Sequence, residues 1–329
     1  MTTGIPESAS ERAAFLQKLG FARYRDASPA LIRALLEHDD PQCVHAGASA
    51  AIANPSPDMA RTLELLYWQR REQEAATGQP DGSAASIMNA VHHLDPANLA
   101  VLFDAAGSRN STSLLAIMAL GALHSVNHPQ TAAFARMQLQ DPRDSVREYA
   151  IPILLHSDPD AFDEVRALLD DPSTTDRIGV SILAALLDSA ADDRHATALD
   201  IAFDWLTQRA GTTLPTCLSN LQMKHPKGYG ALAVRLFDEA DPSRKDALLR
   251  ILLTGHSPEV AARLCREIST GPFETARRII SELAGYEPEP GWNDQLRHAI
   301  QQRPDDVSEL RSIIDEKEHT ARTVHPYDR

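Results

Sequence analysis

One feature constrains this chain more than any other: a helix-start signal that recurs with an apolar helical pattern behind it. Asp-Pro occurs at Asp40, Asp95, Asp141, Asp158, Asp171 and Asp241, and Ser-Pro at Ser28, Ser56 and Ser257. A carboxylate or hydroxyl at such a position accepts the free amide hydrogens of a first helical turn. Proline fits the next position, where a missing N–H costs nothing. Between these marks the apolar residues follow helical spacing. Val146, Ala150, Ile153 and Leu154 share one helix face, as do Ile178, Ile182, Ala185 and Leu186. Runs with strand alternation are nearly absent.

Pairing the segments predicts eight or nine helical hairpins. Their second helices centre near residues 48, 88, 117, 151, 183, 218, 250 and 279, a spacing close to 33 residues. Such a period defines a helical repeat array, in which each hairpin buries its apolar faces against its neighbours. The stretch 113–123, SLLAIMALGAL, is apolar nearly all round, which predicts cover on more than one side. Residues 72–84 read as a longer loop within one hairpin. YEPEPGW (286–292) reads as a proline-punctuated joint, and the residues from about Glu316 as a frayed polar tail. Residues 1–285 are therefore expected to form the array, and 286–329 a set of capping helices and a tail continuous with it. Pro152 falls inside a predicted helix, where it predicts a kink or break.

Asp141-Pro142, then Val146-Arg147 and Ala150, resembles the HEAT repeat, in particular its short bacterial form. The match covers 141–155 and in part 171–187, where Arg177 keeps its distance from Asp171 but Asp176 replaces the valine. The resemblance implies an all-α, right-handed superhelical α-solenoid of about eight or nine hairpins. It also implies a ladder between neighbouring repeats, here Asp141, Arg147, Asp171 and Arg177.

The formal charge is −14, which disfavours phosphate backbones as partners and favours cationic ones. Residues 158–193 hold ten carboxylates and two arginines, a net of 2 − 10 = −8. Asp158, Asp160, Asp163, Glu164, Asp170, Asp171 and Asp176 are the candidate contacts for a basic protein; the competing reading is a solvated rim of helix caps.

Chemistry-bearing motifs are scarce. Nucleophile-elbow, P-loop, dinucleotide-binding and HExxH patterns are absent. HDDPQCVH (38–45) holds metal-ligand residue types, but its histidines straddle a helix start, so no metal and no cofactor is expected. None of the thirteen histidines precedes a glutamate, which removes the iron-binding hydroxylases among HEAT-like enzymes. The runner-up is an enzyme of this architecture, similar to an alkylpurine DNA glycosylase or a lyase, with Tyr67-Trp68 and Asp204-Trp205 as its aromatic and acidic residues.

Cys43, Cys217 and Cys265 are widely spaced and read as reduced thiols. The N-terminus lacks a secretory pattern, no apolar run has membrane-spanning length, and arginine (27 of 32 basic residues) dominates lysine. These features predict a cytoplasmic bacterial protein-interaction module (an adaptor, inhibitor or immunity-type protein) and no membrane contact.

Overall fold

The computed structural model describes residues 4–78, 82–108, 111–209, 213–255, 257–284, 291–303 and 307–324. Among these residues there are nineteen α-helices, two short 3-10 turns and no β-strand. Contacts gather the chain into two compact units, residues 1–165 and 166–329. The expected division at residue 285 falls beside 285–290, which lie outside the described residues.

Unit 1 holds α1 (Ala9–Phe21), α2 (Pro29–Leu36), α3 (Pro41–Ala53), α4 (Pro57–Thr77), α5 (Ser83–Leu94), α6 (Ala100–Gly107), α7 (Ser113–Ser125), α8 (Thr131–Gln138) and α9 (Asp144–Ser157). Helices α2 and α3, α4 and α5, α6 and α7, and α8 and α9 pack as hairpins. The second helices then stack in one row, α3 on α5, α5 on α7 and α7 on α9. Leu31, Leu35, Val44, Leu63, Ile87, Val91, Leu102 and Leu115 fill the space between the rows.

α10 (Phe162–Ala167) crosses the boundary between the units. Unit 2 holds α11 (Asp176–Ser189), α12 (Asp192–Thr207), α13 (Thr213–Met223), α14 (Tyr229–Glu239), α15 (Pro242–Thr254), α16 (Pro258–Thr270), α17 (Phe273–Leu283), α18 (Trp292–Gln301) and α19 (Ser308–Val324). Odd-numbered helices form one stacked row, α11 to α19, and even-numbered ones the other, α12 to α18. The eight second helices expected from sequence coincide with α3, α5, α7, α9, α11, α13, α15 and α17.

Helix-start chemistry explains most boundaries. The side chains of Ser28, Asp40, Ser56, Asp241 and Ser257 accept first-turn amides from Leu31, Gln42, Met59, Ser243 and Val260. Asp158 does the same for a 3-10 turn through the amide of Asp160. Three Asp-Pro sites differ. Asp95 ends α5 instead of starting a helix. Asp141 and Asp171 close two-residue turns on the amides of Arg143 and Ser173, and α9 and α11 begin only at Asp144 and Asp176.

Three other expectations are corrected. Residues 72–77 are helical, because the last turns of α4 carry Arg71 and the buried Glu74 into a polar cluster, so only 78–82 separate α4 from α5. Helix α9 runs through Pro152, whose ring lies on the exposed side. The polar tail is helical to Val324, with Glu318 and Asp315 both held by Arg297 of α18, at 2.8 and 3.0 Å. As expected, α7 is covered on more than one side, by α5, α6, α8 and α9, and one strip of it stays open. Leu115, Ala119, Leu120 and Leu123 are buried, while Leu114 is 55% exposed and Ile117 and Met118 are partly exposed.

Candidate partner-binding surface

The acidic residues singled out from sequence divide into paired and unpaired sets. In unit 1, Arg136 of α8 donates to Asp158 at 2.6 Å and to Glu164 at 2.8 Å. The Arg136 hydrogen bond holds the Asp158 carboxyl below the usual carboxylate range. Asp160 and Asp163 are exposed, and among the described residues no ion pair reaches them. In unit 2, Asp170 is likewise exposed with no ion pair among the described residues. Asp171 is occupied by its turn. Asp176 meets Arg209 at 3.3 Å. Two of the neutralising arginines, 136 and 209, lie outside the 158–193 window, so the folded surface is less acidic there than the count of −8.

Of the ladder residues, Asp141 and Arg147 of unit 1 hold local pairs. Arg147 donates to Asp144, three residues away, at 2.5 Å, and Asp141 takes a bidentate bond from Arg143 at 2.6 and 2.7 Å. These Arg143 bonds, followed by burial and the Arg143 amide, set the Asp141 carboxyl, whose pKa is lowered on balance. Arg143 also donates to the Ser111 carbonyl, one repeat back. Bridging between repeats is therefore carried by Arg143 in unit 1, a residue the sequence pattern did not single out. Asp171 and Arg177 stand in unit 2, at the turn before α11 and in its first turn.

A second polar centre, unread in the sequence, joins α4 to α6 in unit 1. Arg71 is 11% exposed and donates to Asp104 at 3.0 Å, Glu74 at 3.1 Å, Ser108 at 3.1 Å and Ser111 at 3.3 Å. Tyr67, fully buried, donates its hydroxyl to Asp104 at 2.7 Å. Burial, then the Asp104 carboxylate, pushes the Tyr67 hydroxyl far above its ordinary value. Every strong donor here has an acceptor within the cluster, so its chemistry is that of a clasp. The only legible sign was the i, i+3 spacing of Arg71 and Glu74, of which Glu74 stands inside what reads as a loop.

The residues weighed for an enzyme are dispersed. Trp205 is 5% exposed, and the Arg209 guanidinium stacks 3.3 Å from its ring centre. Trp68 is 37% exposed and meets Tyr67 edge-on. In HDDPQCVH, the His38 ring accepts the Asp40 amide, Cys43 is buried, and His45 meets Ser86 of α5 at 3.2 Å. Burial raises the thiol pKa of Cys43, Cys217 and Cys265. His92 is half-buried and His93 exposed, bonded to the Asn89 carbonyl. Burial lowers the His92 pKa, and His93 adds to that. Among the described residues no group of three His, Cys, Asp or Glu is placed to hold a metal ion, and no helix is long and apolar enough to cross a membrane.

No known family model, curated protein or solved structure matches this chain.

Proposed function

We propose that this chain is a HEAT-like repeat array, a right-handed superhelical solenoid, that works as a protein-interaction module in a bacterial cytoplasm. Its partner is a basic protein, and its role that of an adaptor, inhibitor or immunity-type protein. Hairpins that recur about every 33 residues and stack row on row within each unit support the array. Asp160 and Asp163 carry the choice of partner: they are exposed and have no cation among the described residues. Neighbouring carboxylates without a counter-ion repel one another, and a cationic partner relieves that repulsion. Asp170 of unit 2 offers the same chemistry.

The test uses the purified full chain, immobilised and exposed to lysate, with washes at low and then high salt. A basic protein retained in stoichiometric amount, released by salt, and lost when Asp160→Lys and Asp163→Lys are combined is the expected result. Retention that survives both the double charge reversal and high salt would remove the acidic surface from the reading.

A further inference from the structure

The row α3, α5, α7 and α9 has a property that an acidic, basic-partner surface does not explain. Helices α3, α5 and α7 together contain no Asp, Glu, Lys or Arg, in a chain where charged residues make up 24%. In α9 the charges are Asp144 and Arg147, paired with each other, and Glu148. The sides of α3, α5 and α7 that face away from the core are therefore neutral, while Asp144 and Glu148 of α9 are partly exposed. Leu114 is 55% exposed and Tyr149 39% exposed, with Ile117 and Met118 partly exposed between them. Hydrogen-bonding groups without formal charge flank this patch, His45 and Ser86 on one side and His156 on the other.

A helix apolar all round is normally covered all round. α11, which carries Asp176, Arg177 and Asp188, is buried without a break from Ile178 to Leu187. α7 carries no charge and yet keeps an open strip at Leu114, Ile117 and Met118. Its neighbour α9 also lies close: a Cβ on Gly121 would stand 2.7 Å from the Tyr149 hydroxyl, so the end of the tyrosine ring rests against α7.

We infer that the outward face of α5, α7 and α9 docks a short, uncharged, extended segment of a partner protein, bearing aliphatic or aromatic side chains. Charge selects this occupant. A cationic segment would find no counter-ion on α5 or α7, and burying an unpaired charge is costly. An acidic segment would approach a molecule of charge −14. A second copy of the chain would bring another −14 with it. The geometry selects length. Packed helices lie ~8–10 Å apart, and an extended chain advances ~3.3 Å per residue, so about six to eight residues cross the three helices.

The face shares no residue with Asp160 and Asp163, so this inference and the basic-partner reading fail separately. The experiment is selection of a displayed random 12-residue peptide library on the purified full chain, with sequences sorted by net charge. Enrichment of neutral peptides rich in aliphatic and aromatic residues is expected, with affinity unchanged between about 0.05 and about 0.5 M NaCl. Leu114→Glu should weaken such a peptide by about tenfold or more, and Tyr149→Ala by several-fold, since each removes apolar contact. Leu114 is mostly exposed, so thermal melting of Leu114→Glu should match the parent, whereas Tyr149 rests against Gly121 and Tyr149→Ala should melt somewhat lower. The combined Asp160→Lys and Asp163→Lys variant should bind the peptide as the parent does. Enrichment of charged peptides, no enrichment, affinity indifferent to Leu114→Glu, or self-association of the chain abolished by Leu114→Glu would each overturn the inference. Basic peptides that respond to the aspartate reversals alone would do so while leaving the basic-partner reading intact.

Discussion

In unit 1 the second-row helices α3, α5 and α7 carry no formal charge, whereas α15 and α17 of unit 2 carry four charged residues each. The contacts between helices differ accordingly. In unit 1, α3 meets α5 through His45 and Ser86, and α7 meets α9 through the edge-to-face pair His124 and His156, 4.8 Å between ring centres. In unit 2, Arg278 of α17 reaches Asp246 of α15, and Arg277 reaches Glu309 of α19 at 2.9 Å. Unit 1 has ion pairs too, but among the described residues none joins two of its second-row helices: they lie at Arg71, at Arg136, at the Arg12–Asp40 pair and, locally, within and just before α9. The same hairpin scaffold can therefore be held by neutral packing or by surface charge in its second row. Only the neutral version leaves a face that an apolar partner can enter without desolvating ions.

The largest effect should come from the buried clasp of unit 1. Arg71→Ala leaves Glu74 and Asp104 without their cation, and loss of one partner of a buried ion pair costs about 3–5 kcal/mol. Asp104 is 30% exposed, so a loss near 3 kcal/mol is expected in urea unfolding. A loss below about 1 kcal/mol would mean that neutral packing alone holds unit 1.

Next comes the packing of unit 2. A Cβ on Gly179 of α11 would fall 2.1 Å from the Trp205 ring of α12, a buried ring that cannot swing away freely. Gly179→Ala should destabilise by about 1–3 kcal/mol, and combining it with Trp205→Leu should recover part of that loss. Failure of the second change to compensate would show that the glycine serves something other than the ring.

Acid sensitivity gives a third measure. The pKa of Asp141 is lowered, chiefly by the Arg143 hydrogen bonds. A carboxyl depressed on folding contributes stability above the ordinary carboxylate range and loses it as pH falls through the folded value. Asp141→Asn should therefore cost on the order of 1–2 kcal/mol at neutral pH, and its melting curve should converge with the parent below about pH 4. A difference that stays constant into acid would assign the loss to the turn rather than to the charge.

The smallest effect belongs to the second-row ion pairs of unit 2. Arg278→Ala removes a bond to Asp246, which is 60% exposed, so less than about 1 kcal/mol is expected, vanishing in about 0.5 M salt. Hydrogen exchange in α15 and α17 should respond to salt, while exchange in α5 and α7 should not. Equal responses in both units would erase the contrast between them.

Local signals decided much of this molecule. Ser28, Ser56, Ser257, Asp40 and Asp241 start helices because a capping side chain acts on amides two or three residues away, and that range is visible in sequence. Apolar spacing located the second helices for the same reason, since one face of a helix repeats every few residues. Partners far apart in the chain were beyond such reading. Arg136 quenches Asp158 and Glu164 from more than twenty residues away, and Arg209 reaches Asp176 from 33. A charge count over 158–193 could not include either arginine. Arg71, at the edge of the stretch that reads as a loop, had no visible role until Asp104, Ser108 and Ser111 came within reach. Composition made α7 the more apolar of α7 and α11, yet packing left a strip of α7 open and closed α11 from Ile178 to Leu187. Sequence by itself determined where helices begin and which of their faces are apolar, because those properties depend on neighbours in the chain. The tertiary structure alone decided which charges are neutralised and which apolar face stays open, because Coulomb attraction and burial act through space and are indifferent to chain order.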